Sequence, residues 1–312
     1  MRPGVYARHA DFFKLFERNA LIYPVAAGFG NAHGPVCSRA GFLLFSDVDG
    51  GRILKYTVPH WEPDGASGEL TVLRSPSQSA TGLTLDHQGR LLACERATRR
   101  VTRTEKDGGI TVLADRYEGK PLVGPHDLVY NIDGSIYFTD ALDSEAPAPN
   151  GSTSVSAVYR IAPDGKLSRV TTECQRATGI ALGARQLDLY VADGGRNEVR
   201  VFPIADDGSL SPGTVFARME SDLPGAADGL KTDERGNVHA AGPGGVWVFS
   251  AGGGHLGTIV PPEQPTNLCW GRGFEGLYIT TRTSVHFIPT VADFRSRRRM
   301  TPYAAALGTR TF

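Results

Sequence analysis

Two histidines and an aspartate, His33, His126 and Asp228, each open a short apolar segment: HGPV, HDLVY and DGLKTD. Two imidazoles and one carboxylate form a donor set for Zn, Fe, Mn, Co or Ni, and the same groups move protons near neutral pH. Three threonines open segments of the same kind: TGLTLD from Thr81, TGIAL from Thr178 and TNLCW from Thr266. The six starts follow one another at intervals of 38 to 52 residues. A period of roughly 40–50 residues with several strands per unit marks a β-propeller blade. Equivalent residues of successive blades then surround one channel, in a ring that reads His, Thr, His, Thr, Asp, Thr. His33, His126 and Asp228 come from alternate blades and approach the axis from three sides, leaving room for water or substrate.

The elements that must carry these residues repeat a common grammar. After the ring residue comes a short strand, a polar turn, an apolar strand and a third strand. TGLTLD turns at HQGR, continues as LLACE and resumes as RRVTRTE; HDLVY turns at NIDG and continues as SIYFTD. Asp, Asn and Gly at the turns supply left-handed backbone and local hydrogen bonds. The apolar runs of the second and third strands suit sheets buried on one or both faces. Second strands end in a repeated polar step at Asp47, Glu95, Asp140, Asp193 and Thr281. Repetition at this place points to satisfying backbone donors in the connection to the next strand, with lining of the site as the alternative.

The expected architecture is all-β: a six-bladed propeller over residues 21–290 within a single domain spanning 1–312. The sixth unit shows three clear strands, and LIYPVAAGF (residues 21–29) supplies its fourth, so the chain's two ends close the ring. Residues 1–20 form a helical extension, with DFFKLFERN amphipathic, and residues 291–312 form a basic tail. The insert at 141–157, rich in Pro, Ser and Ala, is a loop: a lid over one channel mouth or a surface excursion. His239, just after the fifth-unit turn, is a weaker candidate for the channel.

The 312 residues carry 33 Lys and Arg against 33 Asp and Glu. Without a basic surplus, nucleic acid and anionic membranes are not expected partners; a small-molecule substrate is. No apolar run reaches membrane-spanning length and no secretory leader is visible, which with four scattered cysteines points to a reducing, cytoplasmic setting. Neither a GxSxG elbow, an HExxH helix nor a Walker loop occurs. The oligomeric state is not legible.

The longest ordered stretches carry a resemblance. GRLLACE with RRVTR (Gly89–Arg103), TVLADRYEGKPL (Thr111–Leu122), DGSIYFTD (Asp133–Asp140), LYVAD (Leu189–Asp193), ADGLKTDERGNV (Ala227–Val238) and AGPGGVWVF (Ala241–Phe249) resemble the SMP-30/gluconolactonase/luciferin-regenerating family of six-bladed propellers. The resemblance implies a lactonase or related hydrolase with one divalent ion in the channel, often calcium. The family's usual ligands are Glu at the first ring position, Asn at the fourth and Asp at the fifth, with an Asn at the third touching substrate or the ion's water. This chain has His33, Thr178, Asp228 and His126 at those places, so only Asp228 matches. Calcium takes six to eight oxygens, and one carboxylate beside two imidazoles favours a transition metal (Zn, Fe or Mn) over it. A metal-free centre, with His126 or His33 as general acid or base and Asp228 orienting it, stays open.

The expected function is metal-assisted hydrolysis of a lactone or similar cyclic ester, with His33, His126 and Asp228 as both metal ligands and catalytic residues. The alternatives are a lyase, isomerase or cyclase using His/Asp acid–base chemistry in the same pocket, and a non-catalytic ligand-binding propeller. Thr81, Glu95, Thr178 and Asn267 are the expected substrate contacts.

Overall fold

A computed structural model describes residues 1–57, 68–141, 151–153 and 155–291. Six antiparallel sheets of at least four strands each surround a common axis. The innermost strand of blades 1 to 6 is, in order, Ala32–Cys37, Ala80–Leu85, Pro125–Tyr130, Ala177–Leu182, Leu230–Thr232 and Pro265–Trp270. The sixth blade is completed by Tyr23–Ala27, which pairs with Ser284–Pro289, so the chain's beginning closes the ring as the sequence pattern implies. One strand was not foreseen: Gly4–Ala7 adds a fifth, outermost strand to blade 5, against His255–Val260. The amphipathic segment is a single 3-10 turn, Ala10–Lys14. It drives Phe12, Leu15 and Phe16, all essentially buried, into the core shared by blades 5 and 6.

The core lies between blades, where the faces of neighbouring sheets interdigitate. Leu92 and Cys94 of blade 2 meet Phe138 and Tyr159 of blade 3, and Tyr137 and Val158 on the opposite face meet Ile180 and Val191 of blade 4. The four cysteines are free, with Cys94, Cys174 and Cys269 buried. Among the described residues no helix is long and apolar enough to cross a membrane. The basic tail from residue 292 and most of the proposed lid, 142–150 and 154, lie outside the described residues.

The polar steps ending the second strands are structural. Asp47 accepts from the backbone amides of Gly30 and Gly50 and pairs with Arg52. Asp140 takes the amides of Val123 and Gly124, and Asp193 those of Gln175, Arg176 and Gly195. Each carboxylate ties down the segment that leads into an inner strand, fixing where a ring residue starts.

Candidate active site

The inner strands are bent where the ring residues sit. The pairing register slips between His33 and Val36, Ala80 and Leu83, Pro125 and Leu128, Ala177 and Ile180, and Pro265 and Asn267. A bulge of this kind re-aims side chains locally, and here it falls at or beside the ring residue in five of the six blades. Gly34, at φ +54°, shows the crowding: a Cβ there would stand 2.0 Å from the carbonyl oxygen of Thr81 in the next blade. The residue after the ring residue is Gly34, Gly82, Gly179 and Gly229 in four blades, and Asp127 and Asn267 in the other two. Asn267 Nδ2 donates to Asp127 Oδ2 at 3.1 Å, bridging blades 6 and 3. Both side chains are buried. Gly82 and Gly229 make room for this bridge: a Cβ there would stand 2.5 Å from Asp127 and 2.0 Å from Asn267.

The ring divides by parity. The threonine hydroxyls of the even blades donate to the backbone of the following blade: Thr81 to His126 O at 2.7 Å, Thr178 to Ala227 O at 2.9 Å and Thr266 to Ala32 O at 2.6 Å. These bonds stitch the one seam that enters each odd blade, at or just before its ring residue, and the odd ring residues face one another.

His33, His126 and Asp228 do so. His33 Nε2 lies 3.5 Å and His126 Nε2 3.9 Å from Asp228 Oδ1. The imidazoles meet edge to face at 5.1 Å, and one ligand atom from each of the three residues lies within 4.8 Å of the others. Both nitrogens of His33, Nδ1 of His126 and Oδ1 of Asp228 are buried without a hydrogen-bond partner among the described residues. Orphaned buried polar atoms are costly, and four in one cluster mark a site built for something to enter. Burial pushes the His126 imidazole down to about 3, against the pull of Asp228 and with help from His33, Arg96 and Arg176. The ring is therefore neutral at physiological pH and offers a lone pair. Burial alone would raise Asp228, but His33, His126 and Arg176 outweigh it and keep the carboxyl below its ordinary range.

The donor set fits a borderline cation and not calcium. Metal–ligand distances of about 2.0–2.2 Å place tetrahedral donors roughly 3.4 Å apart, close to the two separations to Asp228. For calcium the three residues supply two nitrogens and one carboxylate where oxygens are needed.

A cavity of about 210 Å³ opens over this group, lined by His126, Thr178 and Asp228 and by two arginines, Arg96 and Arg176. Of the other expected substrate contacts, Thr178 alone lines this cavity. Glu95 is wholly buried and bound by Arg74, Arg100, Thr98 and Thr102. Its acceptor capacity is spent inside blade 2, as for the other second-strand ends. Thr81 spends its hydroxyl on the seam and does not line the cavity. Thr178 lines it with its hydroxyl already committed. Asn267 gives its amide to Asp127 and does not line the cavity. His239 packs between Phe16 and Trp270 and beside Asp233, away from the ring. The arginines were missed because neither occupies a ring position: Arg96 lies in the turn just after Glu95 and Arg176 two residues before Thr178.

The profile described as the SMP-30/Gluconolactonase/LRE-like region matches residues 32–283. A gluconolactonase of Zymomonas mobilis is 27% identical over 290 residues, covering 87% of this chain and 82% of its own. A diisopropyl-fluorophosphatase of Loligo vulgaris is 23% identical over 284 residues, covering 83% and 88%. The solved structure of a Xanthomonas campestris gluconolactonase superimposes with a TM-score of 0.82 at 28% identity, covering 93% of this chain and 96% of that one.

Proposed function

The chain belongs to the SMP-30/gluconolactonase/LRE-like family, and from that membership we propose that it hydrolyses a lactone or similar cyclic ester at the His33–His126–Asp228 group. The observation that carries this reading is the convergence of those three side chains, with orphaned donor atoms, beneath a cavity of small-molecule size. The gluconolactonase relatives support a hydrolase of this type.

His33, His126 and Asp228 would hold a divalent transition metal. When bound, such a cation supplies Lewis-acid polarisation of a carbonyl oxygen. The chain's own residues do the rest. Asp228, ionised and a quarter exposed, faces the imidazoles through Oδ1 and takes the proton of the attacking water. The water oxygen bonds to the ester carbon, the ring C–O bond breaks, and the proton returns to the departing ring oxygen, giving a hydroxy acid. Thr178 locks the strand entry just before Asp228 through Ala227 O, and Thr266 the one just before His33 through Ala32 O.

The test is lactone hydrolysis in ¹⁸O water with glucono-δ-lactone as probe. One labelled oxygen in the product carboxylate, lost with Asp228→Asn, is the expected result; a product of unchanged composition would point to isomerisation instead.

A further inference from the structure

His33, His126 and Asp228 come from blades 1, 3 and 5, which pair with one another through no shared strand. Their spacing has to be set through the blades between them. Two buried residues beside the ring are placed to do this. Asp127 follows His126 directly and Asn267 follows Thr266, in blades that stand opposite each other in the ring of six. Each uses the same local device. The Leu128 amide donates to Asp127 Oδ1 at 2.9 Å, and the Leu268 amide to Asn267 Oδ1 at 2.7 Å. The backbone amides of Asp127 and Asn267 donate in turn to the hydroxyls of Thr139 and Thr280, at 3.0 and 3.1 Å. With its oxygen taken, Asn267 presents Nδ2 to Asp127 Oδ2, so the bridge has a fixed direction. Among the described residues, the side-chain hydrogen bonds of Asp127 come from neutral donors alone. A buried carboxylate held in this way is expensive to keep, unlike Glu95 with its two arginines.

Two paths run from this bridge to the other ring donors. Through Asn267 it reaches Thr266, whose hydroxyl donates to Ala32 O, immediately before His33. Through the Asp127 amide it reaches Thr139, which donates on to the carbonyl of Thr178. The Thr178 hydroxyl then donates to Ala227 O, immediately before Asp228. One residue, a single peptide bond from His126, thus joins the strand entries of all three donors. Outer partners of this kind orient the ligands of metal sites.

We propose that Asp127 and Asn267 are positioning residues, and that their bridge holds His33, His126 and Asp228 at the spacing a cation requires before it binds. This rests on the transition-metal reading of the ring. Neither residue lines the cavity above it, so both act through the ring donors and not on substrate.

The test exchanges the two side chains, which have the same shape. Asp127→Asn sets two amides against each other and Asn267→Asp two carboxylates, whereas the double variant rebuilds the bridge with its direction reversed. Cobalt(II) is the probe, its visible spectrum reporting ligand geometry. The inference predicts cobalt binding at least about tenfold weaker in each single variant, with an altered spectrum, and recovery of both in the double variant. Charge alone would make Asn267→Asp bind cobalt more tightly. That result, a single variant with wild-type affinity and spectrum, or a double variant as weak as the singles would overturn the proposal. Where a single variant fails to fold, Thr266→Val decides: it keeps the bridge and cuts the path to His33. A loss of about tenfold is again expected, and wild-type binding contradicts the proposal. A wild-type protein that takes up no cobalt rejects the metal reading by itself. The bridge is then read in metal-free protein from the ring ¹⁵N spectra of His33 and His126 at fixed pH. Signals displaced in the single variants and restored in the double keep the positioning role; unmoved signals reject it.

Discussion

At the scale of single residues, chemistry and structure separate cleanly between Asp228 and Glu95. Asp228 stands just before the inner strand of blade 5 and Glu95 ends the second strand of blade 2, and both looked able to meet substrate. Asp228 keeps a buried oxygen with no hydrogen-bond partner among the described residues, beside two imidazoles, whereas Glu95 is surrounded by Arg74, Arg100 and two threonine hydroxyls. Asp228→Asn should therefore lower lactone turnover at least about a hundredfold with the thermal melt preserved. Glu95→Ala should do the reverse. It strands two arginine charges in the blade and costs about 3–5 kcal/mol, read as an earlier urea midpoint, while KM of the folded fraction holds. An Asp228→Asn enzyme with wild-type turnover would remove the residue from the chemistry. The identity of the ring residues was legible in the sequence because each opens a repeated segment. The commitment of their neighbours was not, since hydrogen bonds such as Thr81 to His126 O join residues 45 apart and have no local signature.

At the scale of elements, the repeated connections carry the fold's precision. Asp47 and Asp193 are held below the ordinary carboxylate range: burial opposes this, but backbone amides and Arg52 or Arg196 prevail. Their stabilisation is present above about pH 4 and is lost as pH falls through the depressed values. Asp140 has the opposite sign. Burial raises it to about 6, against the amides of Val123 and Gly124. The folded protein then binds the extra proton between about pH 4 and 6, and stability declines as pH rises across that window, by at most roughly 3 kcal/mol at 1.36 kcal/mol per unit. Urea midpoints of Asp140→Asn, lower overall because an amide group cannot accept from both backbone donors, should lack this decline; a slope equal to wild type would contradict the assignment. Seam bonds are the second device. Thr178→Val removes the donor to Ala227 O and should cost about 1 kcal/mol, together with a loss of turnover larger than that stability change, because Asp228 follows directly. The polar steps at strand ends were legible as structural from their repetition. The inner-strand bulges were not, because a register slip leaves the alternation of apolar residues nearly intact.

At the scale of the whole molecule, closure joins the chain's start to its end. Tyr23–Ala27 completes blade 6 and Phe12, Leu15 and Phe16 fill the core of blades 5 and 6, whereas Gly4–Ala7 is an outer addition. Truncation before residue 9 should leave a folded propeller with a modestly lower melting temperature. Truncation before residue 29 should abolish cooperative unfolding by circular dichroism, since it opens the ring and empties a core position; a cooperative melt there would show that the ring closes without its first strand. The six-fold period made this architecture readable from spacing alone. The extra strand of blade 5 escaped because GVYA is too short and too isolated to announce itself. The central claim is that a transition-metal centre replaces the family's oxygen site. It is tested most directly by elemental analysis of untagged protein purified without added metal, alongside His126→Ala. The account predicts about one equivalent of a transition metal per chain, lost in the variant together with lactone hydrolysis. Wild-type hydrolysis that persists after chelation, or a His126→Ala protein with full metal content and activity, would contradict it.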